Sequence, residues 1–232
     1  IISAGIKEVF ISSIDVNPKV NGRGIDFLKS KGIKVHLGLL VFESKEINLG
    51  YSRWIESGLP YVIAKVAQSA DGYIGVDRNQ QVWITGQESK AHTHMLRASV
   101  DAILVGRGTV EADNPQLTVR EVNGVSPIRV ILDSNRKLSL NINVFDNDQS
   151  NTVVFCSNKR FSDSETSFCK YYAVGEKGGA LDIKEVLLKL GSLGITSVLV
   201  EGGERMLKSF DELNYIDRFY LYTSKEKLEN GL

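Results

Sequence analysis

The sequence predicts an α/β fold in which strands and helices alternate. Short runs rich in β-branched and aromatic residues recur along the chain, separated by stretches of helical periodicity. Several runs end in polar or glycine-bearing turns, among them Gly106-Arg107-Gly108, Asp133-Ser134 and Gly202-Gly203. The composition suits a folded core: of 232 residues, 42% are hydrophobic and 24% charged.

The charge balance narrows the function classes. Lys plus Arg is 28 and Asp plus Glu is 28, a formal net charge of zero. A disordered chain needs low hydrophobicity or a large net charge, so that class is excluded. No basic excess draws a polyanion, which argues against a nucleic-acid partner, although a local basic patch remains open. No segment approaches the roughly 18 uninterrupted apolar residues of a membrane span. One domain, or one domain plus a fragment, is the expectation at this length. The opening IISAGIKEVFISS has no initiator Met and no signal-peptide order, and it starts in mid-pattern, so a piece of a longer chain is expected. Cys156 and Cys169 form no C-x-x-C pair. They predict two free thiols in a reducing cytoplasm, with no disulfide framework or zinc cluster.

Taken in order, Lys7 to Ile14 reads as a strand and Gly22 to Lys31 as a helix stopped by Gly32. Ile33 to Leu40 reads as a strand, and Phe42 to Ser57 as one amphipathic helix broken by Gly58-Leu59-Pro60. Before that break lies a βαβα unit too small to bury much core alone. After it, strands are expected at Tyr61 to Ala67, Ala102 to Val105, Ile128 to Leu132, Thr152 to Cys156, Tyr171 to Val174, Ser197 to Glu201 and Arg218 to Thr223. Helices are expected at Gly86 to Ala98, Asp182 to Leu193 and Glu204 to Leu213, and a surface loop at Phe145 to Asn151.

Five segments bear on chemistry, and each also admits a plain structural explanation. In KVAQSADGYIG, Lys65 to Gly75, a strand carries Lys65 on an apolar background and ends at Ser69-Ala70-Asp71-Gly72. This is either a hairpin turn or a ligand-facing strand end. In WITGQESKAHTHMLRA, Trp83 to Ala98, Thr85 or Gly86 starts a helix with Glu88 placed for a capping box, and Arg97 ends it. His92 and His94, two apart on a helix, face different sides, so they read as exposed residues and not as metal ligands. In VGRGTVEADNPQLTVR, Val105 to Arg120, glycines after a strand let backbone N–H groups approach a phosphate, or simply tighten a connection. Arg97, Arg107 and Arg120 offer bidentate phosphate contacts. In IRVILDSNRK, Ile128 to Lys137, Asp133-Ser134 and the following basic residues read as a polar turn, or as a device for a ribose hydroxyl or its phosphate. In VLVEGGERML, Val198 to Leu207, Gly202-Gly203 before a helix suits a close backbone approach to a pyrophosphate at the helix N-terminus, or a tight packing turn.

Together and in this order, KVAQSADGYIG, WITG, LRA with DAILVGRGTVEADNPQLTVR, ILDS and VEGGERML resemble the reductase domain of the bifunctional riboflavin-biosynthesis deaminase/reductase. The resemblance runs from about Tyr61 to the end. It implies a dihydrofolate-reductase-like α/β fold, a mixed, mostly parallel sheet flanked by helices. It implies a cytoplasmic homodimer that reduces 5-amino-6-(5-phosphoribosylamino)uracil to the ribitylamino phosphate with NADPH. VNPKVNGRGIDFLKSKGIKV resembles the tail of that family's deaminase domain. Residues 1–58 are therefore expected to be a βαβα remnant of a cytidine-deaminase-like domain, and 59–232 the reductase domain, shortened at its end. The deaminase holds zinc with an H-A-E motif and a cysteine pair, neither of which occurs here, so zinc belongs only to the missing domain.

The resemblance also implies residue roles. Cofactor contacts fall at Ala67, Trp83, Thr109, Asp113, Ser134 and the stretch Gly203, Glu204, Arg205, Met206, Leu207, Lys208 and Ser209. Substrate contacts fall at Gln81, Arg97, Leu117, Arg120 and Glu201. Gln81 departs from the family, which has Ser there, and VDRNQQ is unlike the family's A-S-G-E-S run. Lys65 matches a family lysine near the reacting centre, and Lys65 or Asp71 is the expected proton source, with Lys65 favoured. The rival readings are a stand-alone diaminopyrimidine or dihydrofolate-type reductase and a non-catalytic NADPH-binding or dimerisation fragment.

Overall fold

A computed structural model of the chain describes residues 1–74, 86–146, 150–162 and 169–228. The elements run β1 Glu8–Ile11, α1 Arg23–Ser30, β2 Lys34–Leu37, α2 Val41–Ile47, α3 Leu49–Ser57, β3 Tyr61–Gln68, α4 Gln87–Ala98, β4 Ala102–Gly106, α5 Arg107–Asp113 and β5 Ile128–Leu132. They continue β6 Thr152–Ser157, β7 Lys170–Val174, β8 Glu176–Lys177, β9 Ala180–Leu181, α6 Ile183–Ser192, β10 Ser197–Val200, α7 Glu204–Glu212 and β11 Arg218–Thr223. No described helix is long and apolar enough to cross a membrane.

A seven-stranded sheet in the order β11-β3-β10-β4-β5-β6-β7 forms the frame, and every described pairing in it is parallel. The α/β class and the mostly parallel sheet expected from the sequence are borne out. Alternate side chains of each strand point to opposite faces. Ala102, Leu104, Val130 and Val200 join Val186, Leu187 and Leu190 of α6 and Phe210 of α7 on one face. Ile103, Val105 and Ile131 join Val110 of α5 on the other, where Leu199 meets Leu96 and Val100 at the end of α4. Covering both faces explains why the strands read as continuous apolar runs and not as alternating ones. The chain leaves β3, steps over one position to β4, and walks outward to β7 before β10 returns to fill the gap. The carboxyl ends of β3, β10 and β4 therefore meet at the point where strand order reverses, the usual ligand crevice of open α/β sheets.

The N-terminal unit is a separate two-stranded parallel pair, β1 with β2, plus α1. Before Gly58 only Ile33 is fully buried, and Phe42 and Ile47 are 73% and 83% exposed, so this unit has no core of its own. It is fastened to the sheet domain through α2 and α3. Trp54 Nε1 donates to the Gly191 carbonyl at 2.9 Å, and Arg218 meets Glu46 at 2.7 Å. The contact is close: a Cβ at Gly191 would lie 2.0 Å from the Gly58 carbonyl oxygen, so a side chain there displaces α3 or α6.

Three local differences from the sequence expectation have physical causes. The single helix over Phe42 to Ser57 is two helices, because Asn48 leaves helical geometry and its side-chain amide donates to the Ser44 carbonyl at 2.7 Å. Competition from an Asn side chain for helix carbonyls breaks the ladder. The glycine turn after β4 closes directly into α5, which ends where Asn114 adopts φ 40°. Gly108 inside a helix lowers the propensity signal that would have announced it. A small hairpin, β8 with β9, turns through Gly178 and Gly179, both at positive φ.

Candidate active site at the carboxyl ends of the parallel strands

The centre of the site is a set of charged side chains placed by strand register. Ala64 pairs with Val200, so Lys65 and Glu201 follow on adjacent strands and share the face covered by α4. Glu201 receives a bidentate pair from Arg97 in the last turn of α4: Nε to Oε1 at 2.8 Å and Nη2 to Oε2 at 2.9 Å. Both side chains are only 12% exposed. Burial alone would push the Glu201 carboxyl up. Arg97, with Lys65 beyond it, outweighs this and holds the carboxyl below the ordinary glutamate value. Burial likewise disfavours the charged guanidinium, yet the Glu201 charge and hydrogen bonds leave Arg97 more basic than usual. Arg97 Nη1 also donates to the Thr118 carbonyl at 3.3 Å. Three of its five N–H groups are thus committed within the protein. Lys65 Nζ lies 5.6 Å from the centre of the Tyr222 ring, a cation–π distance.

The loop from Asn114 to Glu121 carries Leu117 and Arg120 and is held from several sides. Asn143 donates two hydrogen bonds to Asn114, from its N–H to Oδ1 at 2.9 Å and from Nδ2 to the backbone carbonyl at 2.7 Å. Arg129 Nη1 donates to the Gln116 carbonyl at 3.4 Å, and Ser126 Oγ accepts from the Val119 N–H at 3.0 Å. His94 Nδ1 accepts from the Arg120 N–H at 3.0 Å. Leu117 sits at φ 56° with its side chain in the core, so it can meet a ligand only through its backbone. A left-handed leucine is held at a cost of about 1–2 kcal/mol, which needs such fastening. Arg120 is exposed, and its Nη1 donates to Gln116 Oε1 at 2.6 Å and Thr118 Oγ1 at 2.8 Å. Burial and the nearby Arg97 charge lower its pKa, with Glu121 opposing them.

The opposite side of the crevice is formed by two helix starts. α5 begins at Gly106 and α7 at Gly203, neither with a side-chain cap. The first N–H groups of each helix therefore point outward without a capping partner. At Gly203 the φ is −70°, a conformation open to any residue. A Cβ on Gly203 would meet nothing within 4 Å, so open space lies before the α7 N-terminus. Gly202 answers to packing: its Cβ would come 2.7 Å from Met206 Sδ, and one on Gly106 would come 2.9 Å from Met206 Cε. Met206 and Leu207 pack against the core, Lys208 faces Glu212, and the Ser209 hydroxyl donates to the Arg205 carbonyl. In the 203–209 stretch, the groups facing the open space are the backbone of Gly203, Glu204 and Arg205. Ser134 follows β5, while Asp133 is buried, with Oδ2 accepting from the Leu138 N–H at 2.9 Å and Oδ1 3.8 Å from Arg107 Nε. Asp133 thus shapes the turn that presents Ser134. Arg107 turns to Glu111 and Asp133.

The remaining candidates are placed as follows. Ala67 lies near the end of β3, paired with Tyr222, while Thr109 and Asp113 lie on α5. Asp71 accepts from the Ser69 hydroxyl and, at 3.1 Å, from the Leu228 N–H, which ties the turn after β3 to the segment after β11. Gln81 and Trp83 lie outside the described residues.

Two features escaped the sequence reading. His94, expected to be exposed, is 2% exposed. It lies on the inner face of α4 beside Leu96. His92, also expected on the surface, is half-buried and hydrogen-bonds through Nδ1 to the Tyr222 hydroxyl, between the rings of Tyr220 and Tyr222. No apolar periodicity in KAHTHM announces either, because Met95, the large apolar residue of that run, faces solvent. Arg129 did carry a signal, a lone cation inside an apolar strand. Such a residue demands buried acceptors, and it finds the carbonyls of Gln116, Asn143, Asp146 and Ser150. Among the described residues no group of three or more His, Cys, Asp or Glu side chains is placed to hold a metal.

Comparison with known proteins agrees with this layout. Residues 60–224 match the RibD C-terminal domain family. The riboflavin biosynthesis protein RibD of Aquifex aeolicus is 33% identical over 233 residues, covering 100% of this chain and 65% of that protein. RibD of Bacillus amyloliquefaciens is 37% identical over 227 residues, covering 96% of this chain and 61% of that protein. The chain thus spans less than two thirds of the length of these curated relatives. A Thermotoga maritima diaminohydroxyphosphoribosylaminopyrimidine deaminase/5-amino-6-(5-phosphoribosylamino)uracil reductase superposes with a TM-score of 0.86 at 33% identity, over 100% of this chain and 63% of that one. The matched residues take in every strand of the seven-stranded sheet, and the chain belongs to the RibD C-terminal domain family.

Proposed function

We propose that the chain is an NADPH-dependent oxidoreductase that reduces 5-amino-6-(5-phosphoribosylamino)uracil to 5-amino-6-(5-phosphoribitylamino)uracil. The observation that carries this reading is the juxtaposition of Lys65, Glu201 and Arg97 with the uncapped α7 start at one switch point, in a chain of this family. NADPH supplies the hydride that adds to C1′ of the ring-opened ribose. The residues present suit that cofactor: the α7 N-terminus with its open Gly203 receives a pyrophosphate, and Ser134 receives the ribose phosphate. Thr109 and Asp113 on α5 and Ala67 near the end of β3 would complete the contacts that hold the cofactor.

The substrate half lies under α4. Arg120 holds the substrate phosphate in place of its present Gln116 and Thr118 partners, converting remote binding into orientation. Glu201, kept ionised by Arg97, receives the sugar or the pyrimidine edge. Lys65 gives the proton that the sugar oxygen or nitrogen requires once hydride reaches carbon. Asp71 is engaged in the turn after β3, which favours Lys65 over it as the donor. Residues 1–58 belong in this reading to the end of a deaminase domain and 59–232 to the reductase. The reading also carries cytoplasmic location and a homodimer, for which the exposed Phe219 and Leu221 on edge strand β11 supply an apolar surface.

Loss of NADPH absorbance on adding the phosphoribosylaminouracil to the purified chain is the expected outcome, with no loss on adding dihydrofolate. Oxidation with dihydrofolate alone, or NADPH binding without turnover, contradicts the assignment. Arg120→Ala is expected to raise KM for the phosphorylated substrate at least about tenfold, since one charge-assisted contact is worth that much; an unchanged KM removes the phosphate role. Gly203→Val fills the open space before α7 without backbone strain. It should therefore fold normally and lose NADPH affinity in calorimetry, and wild-type affinity in the folded variant refutes the pyrophosphate site.

A further inference from the structure

We propose that His94 is the positioning residue for Arg120, and that the neutral imidazole is what keeps the substrate-phosphate arginine in register with the Arg97–Glu201 pair. This rests on the reductase reading above.

His94 does not face the crevice as a ligand group; it is buried on α4 and its Nδ1 accepts the backbone N–H of Arg120 at 3.0 Å. That bond requires a lone pair on Nδ1, hence a neutral ring with its hydrogen on Nε2. One turn further along the same helix, Arg97 takes the Thr118 carbonyl. Helix α4 thus grips the loop at Thr118 and Arg120, a backbone acceptor at one point and a backbone donor at the other. Leu117, directly before the first grip, sits at φ 56°, a left-handed conformation that such contacts help to hold.

The charged groups around His94 are Arg97 on its own helix, Arg120 and Glu121 on the loop, and Glu201 on β10. Lys90 of α4 pairs with Glu121 at 2.7 Å and so draws that carboxylate toward itself. Burial first, then Arg97 and Arg120, push the His94 pKa below its ordinary value. The folded state therefore binds this proton less readily than the unfolded chain. The contribution of His94 to loop order is complete above the ordinary histidine pKa. It is lost as pH falls through the lowered one, when Nδ1 gains a hydrogen and faces the Arg120 N–H as a second donor.

The test compares wild type, His94→Leu and His94→Asn, each verified as folded by circular dichroism. KM for the phosphoribosylaminouracil is measured between about pH 8 and pH 5.5, the range in which a histidine changes charge. The substrate phosphate titrates identically in all three, so only differences between proteins count. An Asn side-chain oxygen replaces the acceptor without titrating. His94→Asn is therefore expected to keep KM within about threefold at pH 8 and to lose the extra acid-side rise that wild type shows. His94→Leu should carry a KM about tenfold above wild type already at pH 8, with kcat changed less than KM. Amide exchange of residues 118–121 at neutral pH, faster in His94→Leu than in wild type or His94→Asn, is the activity-independent readout. Identical pH profiles for wild type and His94→Asn, or wild-type KM and exchange in folded His94→Leu, overturn the proposal. If no protein oxidises NADPH with this substrate, the reductase reading fails, and the exchange comparison alone decides the role of His94.

Discussion

The rest of the site depends on one ion pair, Arg97 with Glu201. It joins the end of α4 to the end of β10, the strand that returns to the middle of the sheet after the others are laid down. Both charges are nearly excluded from water, so each needs the other: an unpaired ion in that position costs several kcal/mol. The pair has consequences on both sides. It keeps the buried Glu201 carboxyl ionised on the strand next to Lys65. It also orients the third donor of Arg97 toward Thr118, so the loop bearing Arg120 is registered against the strand ends and not against solvent.

That loop is the least self-sufficient part of the structure. It contains two non-glycine residues at positive φ, Asn114 and Leu117, and no regular element of its own. Its order comes from outside. Arg129 reaches from β5 to the Gln116 carbonyl and to the carbonyls of Asn143, Asp146 and Ser150, binding two loops to one strand. Burial lowers the Arg129 pKa, the expected mark of a guanidinium satisfied by neutral carbonyls with little counter-charge nearby. Strain placed where Arg120 projects and offset by buried polar contacts is a common arrangement for a preorganised site. The start of α7 is built differently, from backbone without a side-chain cap and with open space at Gly203.

Much of the frame was legible in the sequence because it follows from patterning. Each strand of the seven-stranded sheet lies where an apolar run lies, and the breaks at Gly58 and Asn114-Pro115 fall where turn chemistry places them. Glu201 and Lys65 were legible as charged residues at the ends of buried strands, where burial without a partner is unfavourable. What escaped were properties that arise only between elements. The partner of Glu201 lies 104 positions earlier in the chain. His94 is buried by the fold of a loop over α4, which leaves no periodicity in KAHTHM. The two glycines of VEGGER look alike in sequence, yet Gly202 makes room for Met206 while Gly203 faces open space. Spacing cannot distinguish those two reasons for a missing side chain.

The dependence of the site on Arg97 and Glu201 can be measured directly by a double-mutant cycle in unfolding free energy, using Arg97→Met and Glu201→Gln. Each single variant strands one buried charge and should lose about 3 kcal/mol. The double variant should lose less than the sum by at least about 2 kcal/mol, the coupling of residues in direct contact. Additive losses would show that the two residues are stabilised independently and would contradict the account.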